Sequence, residues 1–376
     1  MRTAIARRLG CATPIFAFSH CRDVVVEVTR AGGFGVLGAA TFGPDLLEAE
    51  LRWIDAHVDG RAYGVDVLIP SSYDQAAEAE GLTGGAARMI PTEHRDFMER
   101  MLNEAGVPKL PPDEEARVHA EILAGRGNMT PDGARRLLAV ALGHKQVSLV
   151  VSGLGAPPPD VVADLKARDI MIGALCGKAS HAVRQRQAGV DLIVAQGTEA
   201  GGHTGSISTF VLVPQVVDAC PGLPVLAAGG ISSGRHIAAA LALGAEGVWT
   251  GTIWLGTRES ELGPFEKSVL FATRAEDAVQ SRVRTGKPVR VIRSVMSDAW
   301  EKPGAPTFLP APLQGILFNE FQARVVRAGY KPFYSSPVGQ AVGTLTEETS
   351  VREVMLRLQT EYLDAIDHIA SIGDAA

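Results

Sequence analysis

Cysteine is scarce in this sequence, with four in 376 residues, at positions 11, 21, 176 and 220. Their wide spacing leaves no CxxC and no Cys/His ligand pattern, and a chain this long needs no disulfide staples. Cys11, Cys21, Cys176 and Cys220 therefore read as buried or incidental thiols in a reducing compartment. Long apolar runs are missing as well: none approaches the roughly 18 residues of a membrane span. Arg2, Arg7 and Arg8 precede no uninterrupted apolar segment of the kind that marks an export signal. The expected location is the cytoplasm. Positive charge is in deficit too, since 36 Lys and Arg face 42 Asp and Glu for a net charge of -6. With no basic cluster to override that balance, neither nucleic acid nor an anionic membrane is an expected partner.

Hydrophobic residues, by contrast, make up 46% of the chain, and 41 glycines accompany them, a composition that implies a large core with many tight loops. Short apolar runs alternate with helical patterns, as βα units around a parallel sheet require. Strands are expected at 14–18, 35–37, 63–68, 147–151, 170–174, 192–195, 224–228 and 247–250. Between the first two, Val24, Val25 and Val28 mark one face of a helix that stops at Gly32-Gly33. Eight strands of this kind favour an α/β fold closed into a (β/α)8 TIM barrel.

Two stretches break the rhythm. Strands three and four are separated by far more chain than one crossover helix needs. The helix that closes this unit begins at Thr130-Pro131, an N-cap with proline at N1. The excess, 71–128, contains Gly84-Gly85 and Leu110-Pro111-Pro112 and reads as a lid-like insertion. A lid over the site and a contact within a homo-oligomer are both open readings of it. After strand eight, 257–312 is irregular and a final helix follows. That helix carries a capping box, Ser350 to Glu353, and a stripe of Val351, Val354, Met355, Leu358, Tyr362, Ile366 and Ile369 expected to pack on the barrel.

The chemistry concentrates at strand ends. Val225-Leu226-Ala227-Ala228-Gly229-Gly230-Ile231 runs from strand into double glycine and then helix, and Val248-Trp249-Thr250-Gly251-Thr252 repeats the theme one unit later. Glycines there let backbone N–H groups approach an anion, and barrels commonly hold phosphate at these two loops. Ser232, Ser233 and Thr252 are candidate hydroxyl donors. Gly32-Gly33-x-Gly35 lacks the context of a dinucleotide fingerprint and reads as a helix stop followed by strand entry. After strand six the chain reads Gln196-Gly197-Thr198-Glu199-Ala200-Gly201-Gly202-His203-Thr204-Gly205. An imidazole framed by glycines at the catalytic face of a barrel suits proton transfer near neutral pH. Glu199 is either its orienting partner or a solvated carboxylate. His20, just past strand one, is a second imidazole on the same face. His57, His94, His181 and His236 fall on helices or insertions and read as structural.

The run Gly189-Val190-Asp191-Leu192-Ile193-Val194-Ala195 leading into that glycine loop resembles the signature of the nitronate monooxygenases, also called 2-nitropropane dioxygenases. Ala31 to Gly38, Gly64-Val65-Asp66, Ala227 to Gly230, Gly251-Thr252, Thr285-Gly286-Lys287-Pro288-Val289-Arg290 and Gly339-Gln340-Ala341 follow in the family's order. The resemblance covers about residues 10 to 345.

It implies FMN across the barrel top, with phosphate at Gly229, Gly230, Gly251 and Thr252. The flavin ring would lie near Ala17, Phe18, Ser19, Asp66 and Gln196, with Gly202 in the adjoining loop. His203 matches the family's base, which takes a proton α to a nitro group, after which electrons pass to the flavin and on to dioxygen. His20, which the family pattern does not supply, is a candidate substrate contact from its place past strand one. In this reading 1–256 with 346–376 form the FMN-binding barrel, and 257–345 an irregular and helical elaboration on the substrate side. An FMN-dependent reductase or dehydrogenase of another small substrate, using NAD(P)H, is the alternative. A lyase or isomerase with a phosphate site is a further one.

Departures from the family pattern cluster on one side. Phe18 and His20 lie in a strand-one segment where many members have Pro-Ile-x-x-Ala/Gly-x-Met, and Asp66 stands where members often carry Asn. Ser152-Gly153-Leu154-Gly155 replaces a stretch that holds a substrate-contacting histidine in one group. Pro310-Ala311-Pro312 occupies the place of that group's tyrosines. The substrate pocket is expected to be rebuilt.

Overall fold

The computed structural model describes residues 1–69, 88–128 and 130–374. Eight parallel strands close into a barrel in sequence order: β1 (Ile15–Ser19), β2 (Phe34–Gly38), β3 (Tyr63–Asp66), β4 (Val147–Ser152), β5 (Met171–Cys176), β6 (Leu192–Gln196), β7 (Val225–Ala228) and β8 (Gly247–Thr250). Closure comes from β1 pairing with β8, Phe16 opposite Trp249. Because side chains alternate across a strand, each strand feeds two cores. Phe16, Val36, Leu149, Val151, Leu192, Val194 and Leu226 fill the barrel interior. Their neighbours Ala17, Leu37, Val150, Ile193 and Ala227 face the surrounding helices. The third strand ends at Asp66, two residues earlier than expected, and the fifth runs on to Cys176.

A short helix, α1 (Ala4–Leu9), stops the N-terminal end of the barrel. Ile5 and Leu9 join the interior cluster, and the Ile5 N–H donates to the Glu246 carboxylate at 2.8 Å. The C-terminal rim is left as the open mouth of the barrel, the end at which barrel enzymes place their chemistry. Next to β1, α2 (Arg22–Arg30) packs so closely on β2 that a Cβ at Gly35 would lie 2.3 Å from the Val25 carbonyl oxygen. That contact, together with the helix stop at Gly32, accounts for the Gly32-Gly33-x-Gly35 sequence.

The remaining outer helices are α3 (Pro44–His57), α4 (Thr92–Glu104), α5 (Pro112–Gly127), α6 (Pro131–Ala141), α7 (Pro159–Ala167), α8 (Ala179–Gln187), α9 (Thr209–Ala219) and α10 (Gly234–Ala242). Beyond β8 come α11 (Pro264–Leu270), the antiparallel pair β9 (Ala278–Ser281) and β10 (Val289–Ile292), α12 (Val295–Trp300), α13 (Leu313–Ala328) and α14 (Val351–Asp374). The β9–β10 hairpin lies within the stretch expected to be irregular; Val279 and Val291 face each other across it, with Thr285-Gly286 in the connecting turn.

Part of the long insertion, including Gly84-Gly85, falls outside the described residues. What is described of it does not stand alone. Met98 and Leu102 of α4 share one hydrophobic cluster with Trp300, Leu317, Phe318 and Val338 of the chain after β8. Polar contacts cross the same boundary: the Trp300 indole donates to Met98 Sδ at 3.4 Å, and Arg324 donates to Glu99 at 2.9 Å. Each fully buried side chain of this size contributes roughly 1.5–3 kcal/mol, so the two segments form one packed layer.

The last helix departs from its expected role along half its length. Val351, Val354, Met355 and Leu358 are buried against the barrel, whereas Ile366 and Ile369 are 40% and 55% exposed. At Gly234 the two helices touch so closely that a Cβ would lie 2.1 Å from the Tyr362 nitrogen. Past this contact α14 outruns the surface it packs on, and the apolar stripe continues into solvent.

Candidate active site

Strand six delivers the glycine loop to the open rim, and three contacts fix its path. Gly197 donates to the Ala228 carbonyl at 2.9 Å, and a Cβ there would sit 2.1 Å from Thr209 Oγ1, so no other residue fits. Glu199, expected either to orient His203 or to lie in solvent, does neither: its carboxylate accepts from the Thr209 N–H at 2.9 Å and the Thr209 hydroxyl at 2.8 Å. It ties the loop to the first turn of α9. Finally, Gly202 and Arg290 exchange backbone hydrogen bonds of 3.1 and 2.8 Å, which clamps the β9–β10 hairpin onto the loop. Arg290 adds side-chain donation to the Thr198 carbonyl at 2.7 Å and to the Ala278 carbonyl.

This clamp sets the state of His203. Its Nδ1 lies 3.0 Å from the Pro288 carbonyl oxygen. A carbonyl can only accept, so Nδ1 carries the proton and Nε2 is left as a lone-pair acceptor. Burial lowers the histidine pKa from its ordinary value, and the charges of Lys287 and Arg284 lower it further, while the hydrogen bond to Pro288 acts in the opposite sense. The imidazole at the rim is thus held neutral, in the tautomer a base requires.

The two glycine turns beside it present backbone donors. Among the hydrogen bonds of the described residues, none uses the N–H of Gly230, Gly251 or Thr252. A Cβ on Gly251 would meet no heavy atom within 4 Å. Free donors around open space are what an anion needs. The hydroxyls are less available: Ser233 caps α10, Ser232 is buried, and Thr252 Oγ1 accepts from the Gly339 N–H at 2.8 Å. The Gly234 N–H of α10 is already taken by the Glu361 carboxylate at 2.8 Å. The turns therefore fit a phosphate through their backbone more than through the side chains singled out from sequence.

Beside the second of these turns, Phe18 of β1 and Trp249 of β8 stack with centroids 6.0 Å apart, and His20 meets Phe18 edge-on at 5.2 Å. His20 Nδ1 lies 2.9 Å from the Gly38 carbonyl. Ser19 Oγ accepts from the Cys21 N–H at 3.1 Å, which leaves Ala17, Phe18 and Ser19 to offer a ligand mainly backbone and ring. Asp66 ends β3 almost fully buried, with no hydrogen bond to its carboxyl among the described residues, and burial pushes its pKa up to about 7. The turn after β4 packs on it, since a Cβ at Gly153 would be 3.6 Å from Asp66 Oδ1. Gln196, at the end of β6, is only half-buried.

The model of the family described as nitronate monooxygenase matches residues 20–361. The chain belongs to that family. A candidate monooxygenase of Mycobacterium tuberculosis is 46% identical, with 99% of each chain covered. A Staphylococcus saprophyticus protein named "Probable nitronate monooxygenase" is 31% identical over 78% of this chain and 79% of its own. Among solved structures, a nitroalkane oxidase from Streptomyces ansochromogenes superposes with a TM-score of 0.77 at 26% identity, covering 97% of this chain and 99% of that one. FabK from Thermotoga maritima has a TM-score of 0.73 at 24% identity over 99% of both chains, which shares the fold alone.

As a nitronate monooxygenase family member, the chain is an oxidoreductase of a flavin-dependent family. Its fold places the glycine loop of strand six, the two glycine turns and the strand-one rim around one barrel mouth. Arg284 and Arg290 went unremarked as site residues in the sequence. Arg290 carried a signal, as the end of the Thr285-Gly286-Lys287-Pro288-Val289-Arg290 motif. Arg284 stands just before that motif, and nothing in its neighbours distinguishes it from a surface residue.

Proposed function

We propose that the chain is an FMN-dependent enzyme that oxidises alkyl nitronates or nitroalkanes with dioxygen, with His203 as its acid/base. The observation that carries this reading is the pinning of His203 Nδ1 to the Pro288 carbonyl, because it leaves Nε2 proton-free at the rim. FMN would be held by the backbone N–H groups of Gly230, Gly251 and Thr252 at its phosphate, with Gly229 shaping the turn. Ala17, Phe18, Ser19, Asp66, Gln196 and Gly202 would border its ring. When bound, FMN supplies the electron acceptance that no side chain offers, together with reoxidation by dioxygen.

The protein's own part is acid–base and positional. With a neutral nitroalkane, His203 Nε2 takes the proton from the carbon bearing the nitro group and leaves the nitronate. The cations near His203 keep it unprotonated before that step and favour the anion that results from it. A substrate that arrives already as a nitronate needs no such transfer.

The test begins with the visible spectrum of the purified protein, followed by anaerobic mixing with propyl-1-nitronate. Flavin bands that bleach on mixing support the reading. Flavin bands that bleach only with NAD(P)H would replace it with the reductase alternative. A colourless protein that cannot be reconstituted with FMN would overturn it in favour of a non-redox lyase or isomerase.

A further inference from the structure

The exposed apolar side chains of α14 are of two kinds. Ile366 and Ile369 continue the stripe that packs on the barrel, whereas Leu356 and Leu363 lie beside it on a flank turned to solvent, 64% and 61% exposed. Arg352 and Asp367 share that flank and are exposed as well, because spacings of four, seven and four residues return to one face of a helix. Elsewhere on α14 charges are engaged locally: Arg357 with Glu361 at 3.3 Å, and Glu353 with Arg258 at 3.6 Å. Among the described residues the side chains of Arg352 and Asp367 have no such partner. The flank therefore reads cation, leucine, leucine, anion, with equal outer spacings. That order is its own complement when reversed. A two-fold axis crossing α14 between Gln359 and Thr360 sets Leu356 against the partner's Leu363 and Arg352 against the partner's Asp367, and the same contacts repeat on the other side of the axis. A lipid surface fits less well, since Asp367 lies in the flank and helices that bind membranes carry cations there.

We propose that α14 is a homodimer interface: an antiparallel pair of helices in which Leu356 and Leu363 of each copy cover those of the other, and Arg352 meets the partner's Asp367. The two helices overlap from residue 351 to residue 368, over about 27 Å. The leucines leave water at the centre and supply the affinity, while the ion pairs at the edges fix direction and register. A parallel pair would set Arg352 against Arg352 and Asp367 against Asp367. The inference rests on α14 alone and holds whatever the barrel mouth binds.

Sedimentation velocity on the full chain tests this. Wild type should sediment as a dimer at micromolar concentrations. Leu363→Glu puts a carboxylate into each half of the apolar centre and should weaken dimerisation at least about 100-fold. Its circular dichroism should stay that of the wild type, because the position is exposed. Arg352→Glu alone creates two like-charge contacts and should weaken the dimer roughly tenfold; adding Asp367→Arg to the same chain inverts both pairs and should restore most of that loss. Such restoration is a readout that a merely local role for either residue would not give. A monomeric wild type, or a dimer that ignores Leu363→Glu, would overturn the proposal. Loss of the dimer in Leu363→Glu with no restoration in the double reversal would overturn the antiparallel register. A monomer that co-sediments with phosphatidylcholine vesicles, and ceases to in Leu363→Glu, would overturn the dimer and give the face to a lipid surface.

Discussion

The two sides of the barrel mouth are built on different principles. Around β6, β7 and β8 the ligand-facing elements are backbone: unclaimed N–H groups at Gly230, Gly251 and Thr252, and a loop whose path is dictated by Gly197 and its contact with Thr209. Around β1 to β4 they are side chains: Phe18, stacked on Trp249 of the neighbouring β8, His20 on the Gly38 carbonyl, and a buried Asp66. Much of this backbone tolerates little change in sequence, because Gly197 has no room for a Cβ and Gly229 and Gly230 have positive φ. A side-chain wall can be replaced residue by residue while the barrel stays intact. On the proposed function, one rim would supply the chemistry and the other would decide what that chemistry acts on.

The sharpest way to break this contrast is at His203, the one side chain on the backbone rim given a chemical role. Replacing it with Asn should lower kcat/KM for a neutral nitroalkane by about 10²- to 10⁴-fold and cost far less with the preformed nitronate. Steady-state kinetics on the two substrate forms reads both. In the wild-type enzyme only the unprotonated ring acts, and its pKa is lowered. The acid limb of the pH profile for the nitroalkane should therefore lie below the ordinary histidine value of about 6.5. Equal losses on nitroalkane and nitronate would remove His203 from proton transfer.

Gly251 gives the next largest effect, and it separates binding from folding. With no heavy atom within 4 Å of an added Cβ, Gly251→Val meets no clash and should cost the apoprotein only the backbone strain of φ -134° and ψ -67°, about 1 kcal/mol. It should weaken FMN roughly 10- to 100-fold by occupying the space beside the free N–H groups. Gly229→Ala is the counterpart, since its φ of 102° and Thr209 Oγ1 at 2.8 Å predict a loss of about 1–3 kcal/mol in the apoprotein itself. Fluorescence titration with FMN and urea unfolding distinguish the two. A Gly251→Val protein that binds FMN normally would place the phosphate elsewhere.

Legibility in the sequence followed the same division. All eight barrel strands could be read because buried parallel strands are short apolar runs between helices, and the glycine loops stood out because their composition is unusual. The β9–β10 hairpin could not be read, since Val279 and Val291 are too few to establish alternation and their turn was taken for irregular chain. Glu199 was misjudged because its partner, Thr209, lies ten residues on, across a glycine turn whose course only the fold reveals. For Ile366 and Ile369 the periodicity was right and the surface to cover them was absent. Arg284 shows the limit most plainly: that no carboxylate among the described residues pairs with it leaves no trace in sequence.

Asp66 tests the side-chain rim through stability. Its folded pKa of about 7 lies above the usual carboxylate range, so ionisation opposes folding. Below about pH 4 both folded and unfolded states are protonated and nothing is lost. As pH rises the unfolded chain ionises first, and stability falls until about pH 7, by up to roughly 3–4 kcal/mol. Asp66→Asn removes this slope, so the variant should overtake the wild-type apoprotein at pH 8 and match it more closely at pH 4.5. Urea unfolding at the two pH values reads the crossing. Parallel stabilities would mean that the carboxyl is solvated or paired in solution.

The smallest effect expected is at His20, and it bears most directly on how the two rims differ. Like His203, it has Nδ1 against a backbone carbonyl, here Gly38, so its Nε2 is also left as an acceptor. Unlike His203, it sits edge-on to Phe18, in a wall whose work is shape. His20→Ala should cost about 1–2 kcal/mol, from one neutral hydrogen bond and one aromatic contact. Its kcat should change less than about tenfold, because the proposed mechanism assigns the proton-transfer contribution of about 10² or more to His203. Stability and turnover measured side by side decide the matter. A fall in kcat as large as that of His203→Asn, with stability nearly intact, would make His20 a second proton carrier and collapse the distinction between a rim that reacts and a rim that selects.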